Sequence, residues 1–454
     1  MNKKVFVCDS CGAEFAKWAG KCSSCGVWNS IKEINISDVS VSSKKAKPVN
    51  TTKLSKVSID DFDRIKSGVS EFDLVMGGGI TKGSIVLLGG EPGIGKSTLI
   101  LQIADKLSGD RITRSHPVLY VSGEESFAQI KARADRLKIE NELELLSETD
   151  SDVIIATAKK VKPIVLVIDS IQTMIDTSVA SSSGSISQVK TVGLKFQKFA
   201  KEIGIPVILI GHVTKTGAVA GPKTLEHLVD TVAYLEGERF HTFRILRCSK
   251  NRFGSVNEVG IFEMGSSGLK QVKNASEEFL TQRKEKLEGS AITVILEGTR
   301  PFLTEVQALA SKSYLGFPQR KASGFDYNRM QLLLAVLFAR AQIKISNFDI
   351  YLNVVGGFKV KDPACDLAAC VAIASAVKKK PIIKDLAILG EIGLGGDIRS
   401  IINLSKRIKE VKNLGFKKVI VPKSPGIALT TKDKSFKIIE ARDLKEAIKL
   451  SLIK

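Results

Sequence analysis

One stretch constrains this chain more than any other, Gly-Gly-Glu-Pro-Gly-Ile-Gly-Lys-Ser-Thr-Leu at positions 89 to 99. It directly follows the apolar run "SIVLLG" and precedes a helical pattern that begins near Thr98. Glycines at 90, 93 and 95 let successive backbone N–H groups wrap a row of phosphates, Lys96 reaches the β- and γ-phosphates, and Ser97 ligates Mg²⁺. With Glu91, Pro92, Ile94 and Thr98 completing the loop, Gly90 through Thr98 is the expected nucleotide-contact set. ATP and magnesium are the expected ligands. Strand, glycine loop and helix in this order also commit the region to α/β architecture.

The surrounding sequence agrees. "SIVLLGG", "PVLYVSG", "PIVLVIDS" and "IPVILIG" are short apolar runs, each followed by a polar turn and a helix-length stretch. That alternation predicts a parallel sheet with crossover helices. Asp169 ends the third run, where a carboxylate holds the Mg²⁺ shell. An Asp at a strand end is also a common helix cap. "VSGEES" offers Glu124 and Glu125 beside the loop, and Glu124 is the expected group to orient the attacking water. His212 ends the fourth run and is the expected γ-phosphate sensor. A hydrogen-bonded histidine at a strand end fits the same position.

The head of the chain reads Cys8-x2-Cys11-x10-Cys22-x2-Cys25, with Gly12 and Gly26 directly after each pair. Four thiolates in two such knuckles make the closed tetrahedral site of structural zinc. Cys248, Cys365 and Cys370 lack any such pattern. No apolar run approaches a membrane span and no signal peptide precedes Cys8, so a cytoplasmic protein that meets no membrane is expected. The net charge of +20 suits a polyanion, with nucleic acid foremost. The excess is mostly lysine, which a lysine-rich proteome would produce without any binding role.

Composition shifts divide the chain into a four-Cys module (1–35), a Ser/Lys/Thr-rich linker (36–57), the P-loop domain (58–275), a charged linker (276–289) and a third domain (290–454). The third has its own strands and Ala/Leu-rich helices, so it should fold separately as α+β.

The ordered set "CDSCG", "CSSCGVWN", "GGEPGIGKSTL", "VSGEES", "LVIDSIQTM", "GHVTKTGAVAGPKTLEHLVDTV" and "KNRFG" resembles the bacterial RadA (Sms) recombination and repair family through essentially the whole chain. The resemblance implies a zinc ribbon-like module, a RecA-like P-loop ATPase core and a Lon-protease-like C-terminal domain. It further implies ring-shaped homohexamers that bind single-stranded DNA and drive branch migration of recombination intermediates with ATP. Recombinase or helicase proteins would be the partners. Lon-type peptidases use a Ser-Lys dyad, whereas here Ala364 of "KDPACDLAAC" holds the nucleophile position and an ungapped match puts Ser405, beside Lys406, at the lysine position. Covalent peptidase chemistry is therefore not expected. The domain reads as an assembly and DNA-binding platform, with Lys359, Lys361 and Lys378 to Lys380 as basic candidates; solvated helix ends fit them equally.

Two loops leave strand ends on the nucleotide side. "DTSVASSSGSISQVK" carries Lys190 and "VTKTGAVAGPK" carries Lys215 and Lys223, small and basic stretches suited to a sequence-neutral DNA grip. Mobile surface loops without a ligand fit the same composition. "KNRFG" reads as a β-hairpin tip in which Gly254 supplies a special backbone conformation and Lys250 and Arg252 project outward, toward the γ-phosphate of a neighbouring subunit. DNA phosphates and plain solvent are the alternatives. Two function classes stay open: a DNA-stimulated ATPase motor, and an ATP-switched ring that clamps DNA or a partner protein without translocating. A circadian-clock-like ATPase acting on protein is disfavoured by the zinc head and basic charge.

Overall fold

The computed structural model describes residues 3–8, 14–23, 26, 28–36, 53, 64–109, 116–212, 222–237, 243–272, 287–314, 317–355, 360–423 and 435–453. The chain divides into two compact units, Met1–Gln271 and Val272–Lys454. No described helix is long and apolar enough to cross a membrane.

At the amino terminus β1 (Lys3–Cys8) pairs antiparallel with β2 (Glu14–Phe15) on one side and β3 (Ile31–Ile36) on the other. The interior of this module is small: Cys8, Cys22 and Ile31, with Phe6 and Phe15 packed against them.

The P-loop region begins with a two-residue pair, β4 (Arg64–Ile65) and β5 (Ile80–Thr81), around the short helix α1 (Ser70–Val75). Nine strands then form one sheet. The parallel ones are β6 (Ile85–Gly89), β7 (Val118–Ser122), β8 (Glu144–Ser147), β9 (Val165–Asp169), β10 (Val207–Ile210) and β11 (Thr231–Glu236). An antiparallel meander of β12 (Phe243–Asn251), β13 (Val259–Gly265) and β14 (Gly268–Gln271) extends the sheet beyond β11, giving the order β14-β13-β12-β11-β6-β10-β9-β7-β8. Strands β6, β7, β9 and β10 read as nearly unbroken apolar runs because both of their faces are covered. Val86, Leu88, Val118, Tyr120 and Val167 join the core under α2 (Lys96–Gly109) and α3 (Phe127–Leu137). Ile85, Leu87, Leu119, Val121 and Ile168 join the opposite one, under α4 (Ser151–Val161) and α5 (Ile186–Ile203). Helix starts follow the local chemistry: Ser126 and Gln129 form a capping box on α3, and Ser185 caps α5, which ends on Gly204 at φ +80°.

In the second unit a seven-stranded mixed sheet has β15 (Ser290–Glu297) and β16 (Arg300–Lys312) near its centre. On one side lie β18 (Phe348–Val354) and the edge strand β17 (Arg320–Ser323); on the other lie β19 (Leu386–Ile388), β22 (Lys418–Pro422) and β23 (Lys437–Ala441). The hairpin of β20 (Glu391–Ile392) and β21 (Ile398–Arg399) stands apart from it. Among the described residues four helices accompany the sheet: α6 (Tyr327–Ala339), α7 (Asp366–Lys378), α8 (Leu404–Asn413) and α9 (Leu444–Ser451). Helix α7 is apolar all round because it is buried from Asp366 to Ser375.

Candidate functional site

The carboxyl ends of β6, β7, β9 and β10 surround one cleft of about 270 Å³, lined by Gly93, Gly95, Lys96, Ser97, Thr98, Ser122, Glu124, Glu125, Arg133, Arg136, Asp169 and His212. Four parallel strands thus deliver residues far apart in sequence to one end of the sheet, where ligands of open α/β sheets bind. The loop shape depends on its glycines. Gly90 sits at φ +154°, and a Cβ there would lie 2.6 Å from the carbonyl oxygen of Leu235. Gly93, at φ +77°, faces open space.

The loop carbonyls face its own lysine. Lys96 Nζ donates to the carbonyls of Gly90 and Glu91 at 3.0 Å each and lies 3.1 Å from His212 Nδ1. An ammonium only donates, so His212 Nδ1 accepts and its Nε2–H is turned toward Glu124 Oε1, 3.6 Å away. Burial pushes the Lys96 ammonium down to about 8, against the pull of the Asp169 and Glu124 carboxylates. His212, the Ser170 hydroxyl and Lys96 hold Glu124 at about 2 in spite of its partial burial. Of these groups the Ser170 hydroxyl donates directly to Glu124 Oε1, at 2.5 Å.

The two glutamates separate by partner. Glu125 is occupied by an ion pair with Arg133 of α3, whereas Glu124 faces Ser170, His212 and Lys96. Asp169 is 7% exposed and accepts from the Tyr120 hydroxyl at 2.5 Å. That bond and burial together raise the Tyr120 phenol well above its usual range, burial being the larger cause. Sequence reasoning missed Tyr120, Ser170, Arg133 and Arg136. Ser170 follows the strand-end Asp169 directly, and Arg133 and Arg136 share one face of α3 at helical spacing, so signals existed, but only for a reader who knew that α3 flanks the cleft.

Elsewhere the expected residues are scattered. Cys8 and Cys22 are buried, and the backbone N–H of Gly26, at φ +76°, donates to the Cys22 carbonyl at 2.8 Å, closing a knuckle-like turn. Cys11 and Cys25 lie outside the described residues, as do Lys215 and Lys359. Two buried thiols in so thin a core fit a metal-organised module. Lys190 is exposed on the first turns of α5, behind the Ser-rich loop, and Lys223 is exposed on a short 3₁₀ turn, Pro222–Thr224. The loop itself is anchored by Gln188, whose side-chain amide donates to the carbonyls of Asp176, Val179 and Ser181.

Two expectations need correction. Lys250 and Arg252 do not project freely. Lys250 Nζ donates to the carbonyls of Glu226 and Val229 at 2.6 and 2.8 Å, and the Arg252 guanidinium pairs with Asp230 at 3.1 Å. Nor is Gly254 among the glycines at positive φ; a Cβ on it would meet Gly77 Cα at 2.9 Å, so close backbone approach is what demands glycine there. In the second unit Ser405 and Lys406 are exposed, and the cation that α8 turns inward is Arg407. Only 1% exposed, it pairs with Asp362 at 2.7 Å and donates to the Val294 carbonyl at 2.6 Å, and Ala364 is itself fully buried. Cys365 is buried too, and burial pushes its thiol well above the usual range. Lys361 and Lys378 to Lys380 are exposed.

Residues 49–218 match the family described as AAA domain, residues 6–33 the rubredoxin metal binding domain, and residues 328–425 the ChlI subunit of Mg-chelatase. The chain is 46% identical over 458 residues to the DNA repair protein RadA of Bacillus subtilis, with 99% of each chain covered. It is 43% identical over 461 residues to that of Halalkalibacterium halodurans, again covering 99% of both, and 46% identical over 430 residues to that of Streptococcus pyogenes serotype M1, covering 93% of both.

Proposed function

The chain belongs to the family of RadA DNA repair proteins, and on that premise we propose that it is a DNA-dependent ATPase of homologous recombination, a homohexameric ring that drives branch migration of recombination intermediates along single-stranded DNA. The observation that supports turnover is the convergence of Lys96, Glu124, Asp169 and His212 on one cleft. Phosphates would take the loop N–H groups and draw Lys96 away from the Gly90 and Glu91 carbonyls. Glu124, ionised and held by Ser170, would then orient the attacking water and accept its proton. Ser97 and Asp169 would hold the Mg²⁺, which supplies neutralisation of charge on the β- and γ-phosphates.

The path to DNA runs through the chain just beyond Asp169. Ser170 touches Glu124, and Gln172 Nε2 donates to the His212 carbonyl at 3.3 Å. Four residues after Gln172 begins the Ser-rich loop anchored by Gln188. A strand gripped by that loop, with Lys190 and Lys223 as its exposed cations, would be felt at both catalytic groups. Steady-state ATP hydrolysis with and without single-stranded DNA tests this. Stimulation is expected, and the same reactions should leave an unfolded protein substrate uncleaved, because Ala364 offers no nucleophile and the inward cation Arg407 is already paired with Asp362. Equal rates with and without DNA would replace the motor by the ATP-switched clamp.

Zinc is expected on Cys8, Cys11, Cys22 and Cys25, where it would organise a module whose own core is too small to do so. Replacing Cys22 by Ser should lower metal content to background and lose DNA or partner-protein engagement. The thermal transition of the ATPase core should stay where it is. Metal analysis of the purified protein decides the point, and a zinc-free wild-type protein would refute it.

A further inference from the structure

The chain has two tryptophans, Trp18 and Trp28, and both sit in the amino-terminal module. A module with so little core would be expected to bury its largest apolar side chains. Instead Trp18 is 61% exposed and Trp28 69%. Their backbone is fixed all the same: Lys21 and Trp28 form an antiparallel bridge, the Asn29 N–H donates to the Gly20 carbonyl at 2.8 Å, and Trp18 Nε1–H donates to the Ile31 carbonyl at 3.1 Å. Both rings converge on Gly20, where a Cβ would lie 3.8 Å from Trp28 Cζ3 and 3.9 Å from Trp18 Cη2.

Within the segment that carries this aromatic pair the charge has one sign. From Phe15 to Ser30 the sequence contains Lys17 and Lys21 and no Asp or Glu. Lys17 is exposed, and the Lys21 ammonium lies 5.5 Å from the centre of the Trp28 ring. Exposed indole faces flanked by cations, with no carboxylate in the segment, complement a polymer of flat bases and phosphates. They suit an apolar protein surface poorly, since the neighbours are lysines and small residues rather than aliphatic ones.

We propose that Trp18 and Trp28 form a stacking platform for the unpaired bases of single-stranded DNA, with Lys17 and Lys21 engaging the adjacent phosphates. The proposal rests on the reading of this protein as a DNA-dependent ATPase and adds to it a second DNA contact, remote in sequence from the loops beside the nucleotide cleft. A single strand is the required form, because duplex bases are already stacked on one another and stacking on aromatic side chains needs an open π-face.

Tryptophan emission reads this module alone, because the rest of the chain has none. The zinc-loaded, full-length protein is titrated with a labelled oligothymidylate while anisotropy of the label and tryptophan emission are recorded together. Emission is expected to be quenched along the same curve that anisotropy follows, and a duplex of equal length is expected to quench far less. Trp28→Leu should weaken single-strand binding about 5- to 100-fold, and Trp28→Phe should keep most of the affinity, since stacking survives in phenylalanine. Trp28 is the better site for substitution because the Trp18 indole also bonds the Ile31 carbonyl. Zinc content equal to wild type verifies that each variant keeps the module folded. Saturated anisotropy with unchanged emission, or a Trp28→Leu protein that binds as well as wild type, overturns the platform while leaving the ATPase reading intact; the aromatic face would then belong to a protein partner. Absence of any anisotropy change overturns both.

Discussion

Glu124→Gln is expected to bind ATP about as well as wild type and to hydrolyse it about 10²- to 10⁴-fold more slowly, because it removes the proton acceptor and leaves the phosphate cradle untouched. Lys96→Ala should behave differently. Loss of a charge-assisted contact to phosphate costs about 1.5–3 kcal/mol, so ATP affinity itself should fall by about 10- to 150-fold and turnover should vanish with it. Equilibrium binding of ATP beside single-turnover hydrolysis separates the two, and equal loss of affinity in both variants would remove Glu124 from catalysis. The pH dependence sharpens the test. Burial brings the Lys96 ammonium down to about 8, and phosphates favour that charged form. Binding therefore takes up a proton above that pH. Affinity is full below about 8 and weakens above it by up to about tenfold per pH unit. Glu124, at about 2, is a carboxylate through the whole working range and gives kcat/KM no acid limb near neutrality. The Lys96→Ala protein should lack the alkaline limb, whereas Glu124→Gln should keep it in ATP binding.

These groups were legible in the sequence to different degrees, for physical reasons. The phosphate-loop candidates are contiguous, and their glycines, lysine and serine are the types a row of phosphates calls for, so sequence position alone singles them out as candidates. Asp169 and His212 were legible one step further, because apolar runs in a parallel sheet end on the same side. Tyr120 was not. Its strand is buried on both faces, so no alternation of polar and apolar residues announced that its hydroxyl would meet Asp169. Arg133 and Arg136 look like the solvated face of an ordinary amphipathic helix until α3 is seen to flank the cleft. An ungapped match puts Ser405 at the Lon lysine position with Lys406 beside it, but such a match cannot tell which of three consecutive residues, Ser405, Lys406 or Arg407, turns toward the core, and it is Arg407 that does. The "KNRFG" turn was recognised as a turn, but the groups that hold its cations are carbonyls and a carboxylate more than 20 residues earlier.

Those partners shape the prediction for Lys250 and Arg252. Register locates them: Asn251 pairs with Thr231 on β11, and Thr231 with Val86 on β6. The phosphate loop begins at the other end of β6, so about 13 Å of strand separates the two levels of the sheet. Asp230 ties Arg252 to the start of that strand, accepting from Arg252 through one oxygen and from the Ile85 N–H through the other. Neither Lys250 nor Arg252 lines the cleft of its own chain. The Arg252 side chain is still half exposed, and its partner is a single carboxylate that a triphosphate could outcompete. If the proposed ring sets this far end of one sheet against the nucleotide of the next subunit, Lys250 and Arg252 would stabilise charge developing on the γ-phosphate. Arg252→Ala is then expected to lower turnover about 10³-fold or more with its own ATP still bound. Mixing tests the geometry, because Lys96→Ala subunits keep an intact Arg252 and Arg252→Ala subunits keep an intact phosphate loop. Each protein is inactive alone, and co-assembled rings should regain ATPase activity wherever an intact loop meets an intact Arg252. Mixed rings that stay inactive, together with an Arg252→Ala protein that retains full ATPase activity but no longer binds DNA, would assign these cations to DNA phosphates instead.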